Sequence, residues 1–146
     1  MFSEDSIGGY LIAEERFMQV TIRNIVIAYG EEHDLKAIHL YVLGMFSSRE
    51  GITVKQLREK THMTSSNLSP ICNVLENRAL IRRERNKADG RSSYLFLTEQ
   101  GAEMLQGLDR WLDKILSSAG SNNRALHDDI RRGFQAFRTL VAAAQE

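Results

Sequence analysis

Between Leu80 and Leu97 a polar, basic stretch, Asn86-Lys87-Ala88-Asp89-Gly90-Arg91, separates two segments of strand character, Leu80 to Arg85 and Ser92 to Leu97. Asp-Gly is a strong hairpin signal. A tip of this composition suits contact with phosphate or a nucleic-acid groove better than burial. From Arg78 to Arg91 six Lys or Arg face two acids, whereas residues 1–50 carry eight acids and four Lys or Arg. The formal charge of the whole chain is zero, so positive charge is confined to one short segment, as a localised phosphate-binding surface requires. A solvated charged face has the same composition.

Just upstream, Thr64, Ser65, Ser66, Asn67, Ser69, Pro70 and Asn73 interleave with Leu68, Ile71, Cys72 and Leu75. On a helix the second set takes the inner face and the first the outer. The outer groups are short hydroxyls and amides, suited to hydrogen bonding with phosphates or base edges. Their bland alternative is a set of ordinary helix-start and surface residues.

Other chemistries lack their residues. No nucleophile–base constellation or Gly-rich phosphate loop is found, so an enzyme is not expected. His33, His39, His62 and His127 form no zinc motif; His33 with Asp34, or His127 with Asp128 and Asp129, are the pairs that could hold a transition metal, and no metal or other cofactor is expected. The single cysteine, Cys72, excludes an intrachain disulfide and fits a reducing compartment. It falls on the inner face, where a small buried residue is the simpler reading than a redox sensor. No run approaches the roughly 20 apolar residues of a membrane helix. Met1 to Gly9 carry Glu4 and Asp5 rather than the pattern of a secretion signal, so a cytoplasmic protein without membrane contact is expected.

The elements that must position these residues are mostly helical. A helix over Tyr10 to Tyr29 carries Leu11, Ile12, Phe17, Met18, Ile22, Ile25 and Val26 at helical spacing, and Gly30 with the acids after it ends the helix. Asp34 is the expected cap of the next helix, with Leu35, Ile38, Val42, Leu43 and Phe46 inward. Thr53-Val54-Lys55-Gln56 is a capping box that opens a helix of about seven residues, with Val54 and Leu57 inward. Thr61 to Thr64 form a tight turn, and Thr64 caps a further helix reaching about Arg78. Pro70 leaves two arrangements open there: a late start with Ser69 as cap and Pro70 in the first position, or a longer helix with a distorted start. A capped helix, a turn, a longer helix and a hairpin make a winged helix-turn-helix. Thr98 caps a long helix through about Leu116. A last helix follows residues 117–123, with Leu126, Ile130, Phe134, Phe137 and Val141 on one stripe.

The expected fold is therefore mostly α with a small β-hairpin wing. Its parts are an N-terminal dimerisation helix (1–34), a winged helix-turn-helix DNA-binding lobe (35–98) and C-terminal dimerisation helices (99–146), intertwined as one domain. The middle is complete by itself, so the apolar stripes of the terminal helices call for a second subunit, and two-fold dimers are the commonest oligomers.

The whole order resembles the MarR (multiple antibiotic resistance regulator) family over nearly the full chain. Asp89-Gly90-Arg91, followed after five intervening residues by Leu97-Thr98-Glu99-Gln100-Gly101, is similar to the family's wing signature, Asp-x-Arg and then Leu-Thr-x-x-Gly. Leu75 to Arg83 resembles the family's junction between recognition helix and wing, with Ala79 where members usually have Gly. Ser69-Pro70 is similar to the family's hydroperoxide-sensing branch. That branch uses a cysteine in its first helix, and residues 10–29 contain none.

The resemblance implies a homodimeric, sequence-specific regulator of transcription, a ligand-responsive repressor of a pseudo-palindromic operator in double-stranded DNA. The second helix of such a lobe enters the major groove, putting Asn67 or Asn73 near adenine, the hydroxyls on phosphates and Pro70 against a thymine methyl. Arg91 would reach the minor groove, braced by Asp89, and Lys55 and Lys87 would meet phosphates. A small aromatic ligand between dimerisation helices and DNA lobe is also implied, with Met18, Ile22, His39, Leu43 and Trp111 as candidate lining residues; their structural alternative is plain core. The readings from other classes are a winged-helix dimer acting mainly on a protein partner, and a redox- or metal-responsive regulator.

Overall fold

The computed structural model describes residues 7–46, 50–85, 93–118 and 124–143. Its elements in chain order are α1 (Ile7–Glu32), α2 (Ala37–Leu43), β1 (Ile52–Thr53), α3 (Val54–Thr61), α4 (Ser65–Asn77), β2 (Ile81–Arg85), β3 (Ser93–Leu97), α5 (Glu99–Ser118) and α6 (Arg124–Ala143). Two compact units divide the chain, residues 1–110 and 111–146.

Helix α1 outruns its expected end because Gly30 is buried within it rather than stopping it. A Cβ on Gly30 would overlap the backbone of Leu35, so glycine permits the next segment to fold back in close contact. The true stop is a Schellman motif. Asp34 N–H donates to Glu31 C=O and Leu35 N–H to Gly30 C=O, with Asp34 in the left-handed region at φ 52°. Asp34 therefore ends α1 and does not cap α2. That cap falls to Lys36, whose N–H donates to His39 Nδ1 at 3.0 Å.

The capping box at α3 forms as its residue types require: Gln56 N–H donates to Thr53 Oγ1 at 3.2 Å, and Thr53 N–H to Gln56 Oε1 at 2.9 Å. Helix α3 closes at His62, which takes a left-handed conformation, φ 54°. Leu57 is its fully buried anchor; Val54 is half-buried. The core of the first unit is then built from Leu40, Val42, Leu43, Leu57, Leu68, Leu75, Leu80, Ile81 and Leu95, with Cys72 among them. Each such large apolar side chain contributes about 1.5–3 kcal/mol on burial, and this holds α3 and α4 against the sheet and α2 against α4.

The sheet is antiparallel with order β1-β3-β2, so the hairpin gains a third strand at Ile52–Thr53. Pairing of Ile52 with Leu95, Arg83 with Leu95, and Ile81 with Leu97 puts these residues on the face toward the core. Arg82, Glu84, Tyr94, Phe96 and Thr53 share the opposite face. In the second unit, Ile130, Phe134, Phe137 and Leu140 form an exposed apolar stripe along α6.

Candidate nucleic-acid interface

Thr64 opens α4 as its N-cap, its Oγ1 accepting from Asn67 N–H at 3.4 Å and lying 3.0 Å from Ser66 Oγ. Leu68, Ile71, Cys72 and Leu75 turn inward, at most 8% exposed, which fixes the rotation of the helix about its axis. Ser65, Ser66, Asn67, Ser69, Pro70 and Asn73 are consequently all exposed. Pro70 lies inside the helix rather than at its first position, so the longer of the two arrangements holds. Its missing N–H leaves the Ser66 carbonyl without its usual donor one turn on. The face presented to solvent is thus neutral, hydroxyl- and amide-rich, and led by the free N–H groups of a helix start, which favour anions.

The far end of α4 is held from three sides. Ala79 N–H donates to Glu76 C=O and Leu80 N–H to Leu75 C=O, a second Schellman motif, with Ala79 at φ 55°. Glycine would take that conformation without strain, which gives the departure at Ala79 its physical cost. Arg78 Nη2 donates to Asp34 C=O at 2.6 Å and to the Asp34 carboxylate, tying the helix end to the turn after α1. Arg83 Nη2 lies 3.3 Å from Glu76 Oε2, tying it to β2. These braces escape a reading of local pattern, since Asp34 and Arg78 are 44 residues apart.

Strand alternation divides the basic residues between the two faces of the sheet. Arg82 turns to the outer face, 4.5 Å over the Phe96 ring and paired with Glu84. Arg83 and Arg85 share the row of Ile81. Across residues 54–85 seven Lys or Arg stand against three acids, so the described part of the lobe is positive although the chain is neutral. Lys55 is exposed on α3. Lys87, Asp89 and Arg91 lie outside the described residues. The hairpin that carries them is anchored by Thr98, whose Oγ1 donates to Leu80 C=O and accepts from Gly101 N–H, 2.9 and 3.0 Å.

Cys72 is 2% exposed, and burial pushes its thiol up; Arg83 nearby pulls the other way and Glu76 adds to the rise. A thiol so placed has little thiolate, the form that reacts with oxidants. Among the described residues no three His, Cys, Asp or Glu converge as a metal site. Of the five residues proposed to line a ligand site, Leu43 is fully buried, Met18 and His39 are half-buried, and Ile22 is 47% exposed. Trp111 belongs to the second unit. No described helix is long and apolar enough to cross a membrane.

A capped helix, a turn, a helix with an uncharged exposed face and a three-stranded wing define a winged-helix protein. The sequence profile of the MarR family matches residues 33–92, from just after α1 to just before β3. The chain is 28% identical over 119 residues to the HTH-type transcriptional regulator SarZ of Staphylococcus haemolyticus, covering 79% of each protein. Among solved structures it is similar to MepR of S. aureus in its DNA-binding conformation (TM-score 0.69, 18% identity, 97% of this chain and 100% of that one). It is also similar to reduced AbfR, a protein of Staphylococcus epidermidis, bound to DNA (TM-score 0.65, 15% identity, 92% and 94%). At these identities the structural likeness concerns the fold. The chain is thus similar to the MarR family, whose profile it matches over the winged-helix lobe.

Proposed function

We propose that this protein is a transcription regulator that binds double-stranded DNA as a homodimer, a ligand-responsive repressor acting on a pseudo-palindromic operator. The observation that carries the reading is the exposed N-terminal half of α4, capped by Thr64 and followed directly by a basic hairpin. In such a lobe α4 enters the major groove, Asn67 and Asn73 reach base edges, and Ser65, Ser66 and Ser69 meet phosphates with Lys55 and Lys87. With no arginine on that face, direct readout is modest, and Arg91 in the minor groove, beside Asp89, supplies shape-based readout. The DNA bound by reduced AbfR supports the DNA partner.

The homodimer is supported by apolar side chains that each unit leaves in solvent. Phe17 on α1 is 66% exposed, with Val20 and Ile22 nearby, and α6 presents its stripe from Ile130 to Leu140. Faces of this kind on a chain of this size mark association surfaces. A small aromatic ligand would act only through unequal affinity for the DNA-binding and non-binding forms. Met18, Ile22, His39 and Trp111 are the residues to vary in that search, and Leu43 is better left as core.

The test is fluorescence anisotropy with DNA from the region upstream of the protein's own gene, repeated across salt concentrations and with competitor DNA. Binding that outlasts competitor and weakens steeply with salt is expected. Arg91→Ala should weaken the specific complex and leave the dimer intact. Affinity that Arg91→Ala leaves unchanged removes Arg91 from the contact set, and a wild type that binds no duplex overturns the reading.

A further inference from the structure

The DNA-facing half of α4 is uncharged, so attraction to phosphate has to come from its flanks, and one flank is built in a way the capping box alone does not reveal. Lys55, Arg58 and His62 stand at i, i+3 and i+7, which sets them in one stripe along α3 and onto its left-handed closing residue. The buried face of α3, Leu57 and Thr61, fixes this stripe outward, and all three side chains are exposed. They line a shallow hollow of about 240 Å³ together with Glu59 and Met63. Met63 leads straight into Thr64 and the start of α4, so the hollow is continuous with the candidate interface. Among the described residues no ion pair engages Lys55, Arg58 or His62. Arg78, Arg82 and Arg83, by contrast, are each paired with a carboxylate.

We propose that Arg58 and His62, with Lys55, form a second phosphate clamp that grips the DNA backbone flanking the groove occupied by α4. The proposal rests on the DNA-binding reading above and deepens it by assigning the partner of this hollow. At about 1.5 Å per residue the stripe is about 10 Å long, enough to follow a strand past more than one phosphate. The clamp carries no sequence information: it positions the lobe and adds affinity on every duplex alike. Favourable charge at the end of a helix would account for Arg58 and Lys60 equally, since both lie in the last turn of α3. Lys60 lies off the stripe, lining a different hollow with Glu50, Gly51 and Gln56. It is therefore the built-in control.

The experiment compares the full chain with Arg58→Gln/His62→Gln and with Lys60→Gln. The probes are a duplex that the wild type has selected from a random pool and a scrambled duplex, at salt from about 50 to 200 mM. The double variant should weaken binding to both duplexes by a similar factor and reduce the salt slope by about one per protomer. Over that fourfold salt range each lost contact removes about a 3.5-fold change in affinity. Lys60→Gln should leave the slope unchanged. A double variant with the wild-type slope, or a loss no greater than that of Lys60→Gln, overturns the clamp while the DNA-binding reading stands. A wild type that binds no duplex overturns both. Should the double variant melt early, Arg58→Lys against Arg58→Gln decides: retention of the slope by the lysine variant alone supports the clamp, and equal slopes refute it.

Discussion

Replacing Gly101 with alanine would drive a methyl group into the carbonyl of Leu80, with Leu97 Cδ1 at 2.7 Å and Leu80 C at 3.1 Å. Two of the three atoms are backbone at the root of the hairpin, so no side-chain rotation relieves the clash. The first turn of α5 has to move off by about 1 Å, since ordinary contact begins near 3.4 Å. That movement strains the bonds from Thr98 N–H and Thr98 Oγ1 to Leu80 C=O, and from Gly101 N–H to Thr98 Oγ1. Each is worth about 1 kcal/mol, overpacking adds about 1–3 kcal/mol, and the better helix propensity of alanine returns about 1 kcal/mol. A net loss of about 3 kcal/mol is expected. For a chain of this length it lowers Tm by about 10 °C. Gly133 supplies the contrast: nothing lies within 4 Å of a Cβ there, so Gly133→Ala should hold or raise Tm. The assay is thermal unfolding by circular dichroism at equal protein concentrations, because association alters apparent stability. A Gly101→Ala protein melting within about 2 °C of wild type would refute the reasoning that close backbone approach demands glycine here.

Two further outcomes follow from the turns. Ala79→Gly removes a left-handed alanine at φ 55° and should raise stability by about 0.5–1 kcal/mol after the extra chain entropy of glycine; a lower Tm would contradict the assigned Schellman closure. His39 is shifted below its ordinary value of 6.5 by burial first, then by Lys36 and Arg78, while its Nδ1 accepts the N–H that caps α2. The unfolded chain therefore takes up the proton more readily, and this contribution is whole above 6.5 and declines as pH falls through 6.5 toward the lower folded value. His39→Gln keeps an acceptor for Lys36 N–H and cannot titrate. Melting measured from about pH 8 to 5 should fall less steeply for this variant, and parallel curves would remove His39 as the cause.

The local sequence determined much of the lobe by itself. The Thr53 box, the Thr64 cap, the alternation of Leu68, Ile71, Cys72 and Leu75 with hydroxyls and amides, and the Thr98 cap all act within four residues, and all form as their residue types dictate. For the same reason the exposed face of α4 is legible in the sequence: inward apolar residues leave the others nowhere else to point. What tertiary structure decided lies where partners are distant in sequence. Strand β1 is two residues long, too short for a pattern, and exists because Ile52 and Thr53 meet Leu95 and Tyr94. Asp34 has the residue type of a cap. Close packing of Gly30 on Leu35 instead turned it into the left-handed end of α1 and delivered its carboxylate to Arg78. The separation of Arg82 from Arg83 is expected from alternation, but only strand register told which of them meets Phe96 and which meets Glu76. Local hydrogen bonds are written in neighbouring residues; contacts across the core depend on how the whole chain closes.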